Sequence, residues 1–98
     1  MADVTSYSLK YPIVRDSRTG DGPVQTEVVH EAGKSLSLRR VRGRDLKVSD
    51  AETSNMEKAF VLISRITGLA IDDVRDMDAA DIKALGDIVE AFTEGGPA

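Results

Sequence analysis

The stretch ITGLAIDDVRDMDAADIKAL, residues 66–85, decides how the second half of the chain folds. Gly68 follows an apolar run at a position where a left-handed residue commonly ends a helix. Asp78 stands where an N-cap begins a further helix, and Asp81 falls at the third helical position. The spacing therefore predicts one helix ending at Thr67, a short helix, and a last helix beginning after Asp78.

Apolar residues on both sides of this stretch recur at helical spacing. The first helix is predicted from Met56, Phe60, Ile63 and Ile66, and it begins at one of two capping signals, Ser49–Glu52 or Ser54–Glu57. The apolar stripe of the last helix consists of Ile82, Leu85, Val89 and Phe92. Gly86 lies inside that helix, where glycine costs about 1 kcal/mol relative to alanine, and so predicts a close contact with another helix.

The first half of the chain alternates between apolar and polar side chains, a period of two that suits half-buried strands. The alternation predicts strands at 5–14, 24–30 and 35–41, joined by a loop at 15–23 and a turn at 31–34. The predicted fold is a single α+β domain. A small N-terminal antiparallel three-stranded β-meander, residues 5–42, packs on a C-terminal helical region, residues 49–92, and a flexible tail follows at 93–98.

Composition excludes several classes of function. The 98 residues contain no cysteine, so no disulfide or thiolate chemistry is available. The sequence has neither a signal-peptide pattern nor an apolar run that could span a bilayer, which predicts a cytoplasmic protein without a membrane partner. The P-loop, dinucleotide-binding and zinc-protease motifs are absent, so neither enzymatic activity nor a cofactor is expected.

The net charge of −4 is unevenly distributed. Residues 1–48 hold nine Lys/Arg and six Asp/Glu, whereas residues 49–98 hold four and eleven. A candidate electrostatic patch in the sequence RRVRGR consists of Arg39, Arg40, Arg42 and Arg44. Three interpretations stay open for it: contact with phosphates, contact with an acidic protein, and a solvated strand end that complements the acidic half.

The five aspartates of residues 72–81 have two interpretations. Carboxylate oxygens bind divalent cations, but a calcium loop needs a turn glycine, and the segment between Gly68 and Gly86 has none. Helix capping and the helix dipole explain several of the aspartates, so no metal site is predicted. The one histidine, His30, has no nucleophile beside it in the sequence and is expected at the surface, in the turn after the second strand.

Residues 62–77 also resemble a helix-turn-helix, since a helix, a glycine turn and a second helix follow in order. The second helix would present Asp72, Asp73 and Asp76 to the phosphates, which is the wrong sign for DNA. Nucleic acid is therefore not the expected partner. A small phage or plasmid regulator that binds DNA through this helix pair or the Arg39–Arg44 segment is the alternative function.

The run FVLISRITGLAIDDVRDMDAADIKALGDIVEAF, residues 60–92, resembles the tail assembly chaperones of contractile-tailed phages and prophages, of the Mu and P2 types. In that family a helix ending in TGL leads through a short helix to an L-x-x-x-D pattern and a final helix with an aromatic end. The segments LKYPI and LSLRRVRGRDL also resemble the family, whereas Ala70 replaces its usual proline. The matching residues of the second half are Thr67, Gly68, Leu69, Val74, Met77, Asp81, Leu85, Val89 and Phe92.

The resemblance implies a protein of the bacterial host cytoplasm that binds the tape measure protein, keeps it soluble and helps recruit tail tube protein. It also implies a longer form of the chain made by translational frameshifting. A second copy in a homo-oligomer is a further candidate partner, which the sequence leaves open. A helix-rich surface would cover the apolar stripe of the tape measure protein. The residues predicted to contact it, each of which could instead be a core residue, are Leu69, Ile71, Val74, Met77, Ile88 and Phe92.

Overall fold

The computed structural model describes residues 6–18 and 20–93, and within them the chain is α+β, as predicted. The strands are β1 (Ser6–Ser8), β2 (Ile13–Ser17), β3 (Gln25–His30) and β4 (Ser35–Ser37). The helices are α1 (Gly43–Asp50), α2 (Asn55–Thr67), α3 (Ile71–Arg75) and α4 (Ala79–Thr93). Thr93 of the predicted tail ends α4, while residues 94–98 of that tail and Thr5 of the predicted first strand lie outside the described residues.

The prediction of a three-stranded meander is wrong. In the described residues β2 pairs antiparallel with β3, and β1 pairs antiparallel with β4, which makes two sheets of two strands each. The two sheets follow one another along a single long hairpin. Leu9 joins them, because its N–H donates to the carbonyl of Lys34 at 3.0 Å and its carbonyl accepts from Gly33 at 2.7 Å. The turn at 31–34 therefore carries the chain onward and does not reverse it.

The predicted first strand breaks at residues 9–12 for two reasons. Pro12 has no N–H to donate to a neighbouring strand. The N–H groups of Lys10 and Tyr11 donate to the carboxylate of Asp81 and not to a strand. The break therefore depends on a helix that follows much later in the chain.

The helix boundaries follow the capping signals. Ser54 Oγ accepts the N–H of Glu57 at 3.0 Å, so the second of the two capping signals begins α2. Gly68 ends α2 in the left-handed conformation with φ of 79°, as predicted. Asp78 Oδ1 accepts the N–H of Ala80 at 2.9 Å and caps α4. All three predicted helix ends are confirmed. The sequence predicts them correctly because each capping contact joins residues that are close in sequence.

Six of the eight residues of helix α1, 43–48, lie outside the predicted helical region. Leu46 and Val48 are two positions apart, which is strand-like spacing, and Gly43 follows the predicted third strand. The sequence signal that predicts α1 is instead a polar residue, Asp45. The N–H of Arg42 donates to Asp45 Oδ2 at 2.8 Å, so the third helical residue caps the start of α1.

One hydrophobic core joins the hairpin to the helices. Ile13 of β2 and Ile63 of α2 are completely buried in it. The predicted stripe of α4 faces this core, with three of its four residues buried and Ile82 half-buried. The contact predicted at Gly86 is wrong, because a Cβ at this position would meet no atom within 4 Å.

Candidate partner-binding surface

Four of the six residues predicted to contact a partner are buried in the core, with exposed fractions of at most 9%: Leu69, Val74, Met77 and Phe92. A partner could reach them only by opening the core, which would forfeit about 1.5–3 kcal/mol of burial for each side chain. Ile71 and Ile88 are half-buried. In the folded chain these two are the members of the set that a partner can reach, and contact with any of the six stays a prediction.

Ile71 lies in an open groove on the outer side of α2. Helix α2 contacts both α1 and α3. The groove has a volume of about 280 Å³ and is lined by Val48, Glu52, Val61, Ser64, Arg65, Ile71 and Arg75. Val48 is 44% exposed, and Val61 and Ile71 are half-buried, so the apolar part of the lining faces solvent. We call this feature the three-helix groove.

Helix α1 packs on α2 through polar residues. Its buried members are Asp45 and Ser49, and Ser49 Oγ donates to the carbonyl of Lys58 at 3.4 Å. Leu46 and Val48 are exposed instead. This reverses the usual arrangement of an amphipathic helix, whose apolar side faces the core. Apolar side chains of α1 are consequently available to a partner.

Asp45 holds α1 through a buried cluster of ions. Both of its oxygens accept hydrogen bonds from Arg39, at 2.7 and 2.9 Å, and Oδ1 also accepts from Arg65 Nε at 2.5 Å. The hydrogen bond from Arg39 is the largest cause that holds the pKa of Asp45 well below its usual range, against the opposing effect of burial. The same contact raises the pKa of Arg39. Two arginines on one carboxylate leave the cluster with a net positive charge.

The four arginines of the candidate electrostatic patch have different surroundings. Arg39 binds the buried carboxylate of Asp45. The guanidinium of Arg40 lies 5.1 Å from the ring centroid of Phe92, a cation–π distance. The side chains of Arg42 and Arg44 are exposed and have no hydrogen-bond or ion-pair partner within the described part of the chain. The segment is therefore divided between internal contacts and two free cations at the start of α1.

The acidic stretch ties α3 to the hairpin. Arg15 of β2 donates to Asp73 and to Asp76, both at 2.7 Å, and the other oxygen of Asp73 lies 3.1 Å from His30 Nε2. Burial raises the pKa of Asp73, but the hydrogen bonds from Arg15 and His30 outweigh it, so the net shift is downward. His30 is the last residue of β3 and is half-buried, in contrast to the surface turn expected from the sequence.

Asp81 is completely buried at the break in the hairpin. Its Oδ1 accepts from Tyr7 Oη at 2.5 Å and from Lys10 N–H at 3.0 Å, and its Oδ2 accepts from Tyr11 N–H at 3.1 Å. Burial and the contacts with Asp81 raise the pKa of Tyr7 to about 12. The predicted third helical position of Asp81 is confirmed, but its carboxylate binds the hairpin. We call these four residues the Asp81 latch.

The remaining polar surface shows no centre for metal chemistry. In residues 6–18 and 20–93, no group of three or more His, Asp or Glu side chains could hold a metal ion. Over the same residues, no helix is long and apolar enough to cross a bilayer.

The family model of phage tail assembly chaperone proteins, described as E, or 41 or 14, matches residues 6–94. The chain belongs to the phage tail assembly chaperone family. Neither a comparison with curated proteins nor one with solved structures gave a match.

In this chaperone the residues that carry the resemblance support the fold. Gly68 ends α2, and Thr67 Oγ1 donates to the carbonyl of Ile63 at 2.7 Å and accepts the N–H of Leu69 at 3.2 Å. Asp81 closes the latch. The other matching residues are in the core: Leu69, Val74, Met77, Leu85, Val89 and Phe92. The motif residues therefore specify helix boundaries and core packing. The residues that a partner can reach are different ones.

Two of the three apolar groove residues are absent from the set predicted from the sequence. Val48 belongs to the unpredicted α1, and Val61 lies in a continuous apolar run from Phe60 to Ile63 that does not show which side faces outward. Asp45 had a usable signal, because an acidic residue at the third position is a common helix start. Recognising α1 from that signal would have placed Val48 beside α2.

Proposed function

We propose that this chaperone binds the tape measure protein, keeps it soluble during tail assembly and helps bring tail tube subunits to it in the host cytoplasm. Membership of the family supports a role in tail assembly. The observation that carries the proposal is the three-helix groove, in which Val48, Val61 and Ile71 present apolar surface between helices. An amphipathic helix binds such a groove with its apolar stripe.

The proposed activity is binding without a chemical step. A long helical chain exposes apolar stripes until it is assembled, and such stripes associate with one another in water. Covering one stripe in the groove removes apolar surface from water in the same way as folding does. The buried cluster around Asp45 supports this role, because it fixes α1 by polar contacts and leaves Val48 free.

Co-expression with the tape measure protein tests the proposal. We expect the wild-type chain to yield a soluble complex and Val48→Asp to lose it, because a carboxylate in the groove opposes burial of an apolar stripe. Val28→Asp is the matched control, since Val28 lies on the hairpin and is also exposed, at 45% against 44% for Val48. A tape measure protein that stays insoluble with the wild-type chain, or equal behaviour of the two variants, would contradict the proposal.

Three further partners belong to the same proposal: tail tube protein, a longer frameshifted form of the chain and a second copy. The alternative of a DNA-binding regulator draws no support from the geometry. Arg39 and Arg40 make internal contacts, and α3 is a helix of five residues in which Asp73 binds Arg15, as does Asp76 immediately after the helix. A mobility-shift assay at moderate salt separates the two functions, since DNA binding through arginines would weaken steeply with salt.

A further inference from the structure

The three-helix groove has two distinct ends, because α1 runs antiparallel to α2. Asp45 at the start of α1 contacts Arg65 near the end of α2. Ser49 at the end of α1 contacts Lys58 near the start of α2. Glu52 follows α1 and lines the groove at this second end. A helix in the groove would therefore meet different side chains at its two ends.

The end at the start of α1 is positive. Arg44 lies one helical turn before Val48, on the same side of α1, and is exposed. Arg39 and Arg65 share the single carboxylate of Asp45. The exposed Arg42 immediately before α1 adds a further cation, so cations exceed carboxylates by three at this end. An acidic group on an occupant would be attracted to it.

The end at Glu52 is negative. Arg75 donates to Glu57 at 3.0 Å and to Asp72 at 3.1 Å, so two carboxylates surround one guanidinium. Glu52 adds a further carboxylate. The ion pair of the nearby Lys58 with an aspartate adds no net charge. Carboxylates exceed cations by two here, and a basic group on an occupant would be favoured.

We propose that the three-helix groove selects an amphipathic helix by the order of its charges. The occupant lays its apolar stripe on Val48, Val61 and Ile71, with acidic residues beside Arg44 and basic residues beside Glu52. This inference rests on the proposed function, since the occupant is a segment of the tape measure protein. It adds a rule: the charge order along the segment determines which way round it docks.

The size of the effect follows from the exposure of the groove. Pairs of exposed charges contribute about 0.2–1 kcal/mol each, which corresponds to a change in affinity of up to about fivefold. Reversing one charge replaces an attraction with a repulsion, so we expect about a three- to tenfold loss at low salt. The loss should fade at high salt, because exposed charges are screened. The apolar contacts persist under both conditions.

Charge reversal tests the rule on the complex with the tape measure protein. Arg44→Glu and Glu52→Lys should each weaken binding at low salt, and Lys34→Glu is the control, because Lys34 is an exposed cation in the turn at 31–34, between β3 and β4. All three positions are on the surface or at its edge, so the variants should fold, which circular dichroism checks. Equal affinities of Arg44→Glu and Lys34→Glu would overturn the inference.

Cross-linking tests the direction itself. The chain has no cysteine, so Gly43→Cys and Thr53→Cys each provide a single labelling site on the surface, next to Arg44 and Glu52, whose charges are kept. Each variant is labelled with a cysteine-directed photo-crosslinker and mixed with tape measure protein diluted from denaturant. Mass spectrometry should map cross-links from position 43 to the acidic end of one helix and those from position 53 to its basic end. The reverse order, or cross-links to unrelated segments, would overturn the inference.

The outcomes separate the two proposals. If the wild-type chain forms no complex, the proposed function fails and the inference fails with it. If a soluble complex forms but shows the reverse order or no dependence on Arg44, the chaperone role stands and the inference alone fails. A complex with the expected order and salt-sensitive reversals supports both.

Discussion

Removal of the Asp81 carboxylate is the sharpest test of how the two halves of the chain are joined. A role limited to the helix start would make Asp81→Ala a loss of about 0.3–1 kcal/mol, the usual size of a charge interacting with a helix dipole. The Asp81 latch predicts more, because the carboxylate accepts three hydrogen bonds from the hairpin. The two interpretations differ enough for equilibrium unfolding to separate them.

The magnitude can be worked from the geometry of the latch. Hydrogen bonds to a charged acceptor contribute about 1.5–3 kcal/mol each, and Asp81 is completely buried. Lys10 and Tyr11 are exposed, so water can replace part of what their N–H groups lose. We therefore expect Asp81→Ala to lower the free energy of unfolding by about 3 kcal/mol, out of about 5–15 kcal/mol for a typical domain. Asp81→Asn should cost about 1–2 kcal/mol, because it keeps one acceptor oxygen.

Urea denaturation followed by circular dichroism measures these losses. Asp78→Ala is the control, since Asp78 caps the same helix without contacting the hairpin and should cost about 1 kcal/mol. In Asp81→Ala the pKa of Tyr7 should also fall from about 12, because burial persists while the hydrogen bond and the charge interaction with Asp81 are gone. If Asp81→Ala lowers the free energy of unfolding by no more than Asp78→Ala does, the Asp81 latch does not hold the hairpin to α4.

Two further predictions concern single residues. Gly86→Ala should raise the free energy of unfolding by about 0.5–1 kcal/mol, because the position is helical and an added Cβ would meet no other side chain or element within 4 Å. A urea midpoint below that of the wild type would refute this. Asp45→Asn should cost about 2 kcal/mol near pH 7, less than a fully buried pair because Arg39 and Arg65 are partly exposed. Folding lowers the pKa of Asp45, so the stability that its carboxylate contributes is complete above about pH 4 and is lost as the pH falls further. The urea midpoints of variant and wild type should therefore converge in acid. A gap that stays constant with pH would contradict this.

The sequence predicted the elements whose signals are local and failed where distant residues decide. Ser54, Gly68 and Asp78 mark helix ends through contacts within a few residues, and all three positions are confirmed. The break in the first strand depends on Asp81, 71 residues from Lys10, and alternation of apolar residues cannot show such a contact. The groove was missed for a related reason, because Val48 lies on a helix held by polar contacts.

The charges of α3 explain how one acidic stretch can serve both the fold and a partner. Asp73 and Asp76, the residue immediately after α3, are three positions apart and lie on the same side. Arg15 of the hairpin binds both of them there. Ile71 and Arg75 are four positions apart and line the groove on another side. A helix docked in the groove would therefore leave the junction with the hairpin intact. It follows that substitutions at Ile71 should change partner binding at little cost to the junction, whereas substitutions at Asp73 should weaken the junction first.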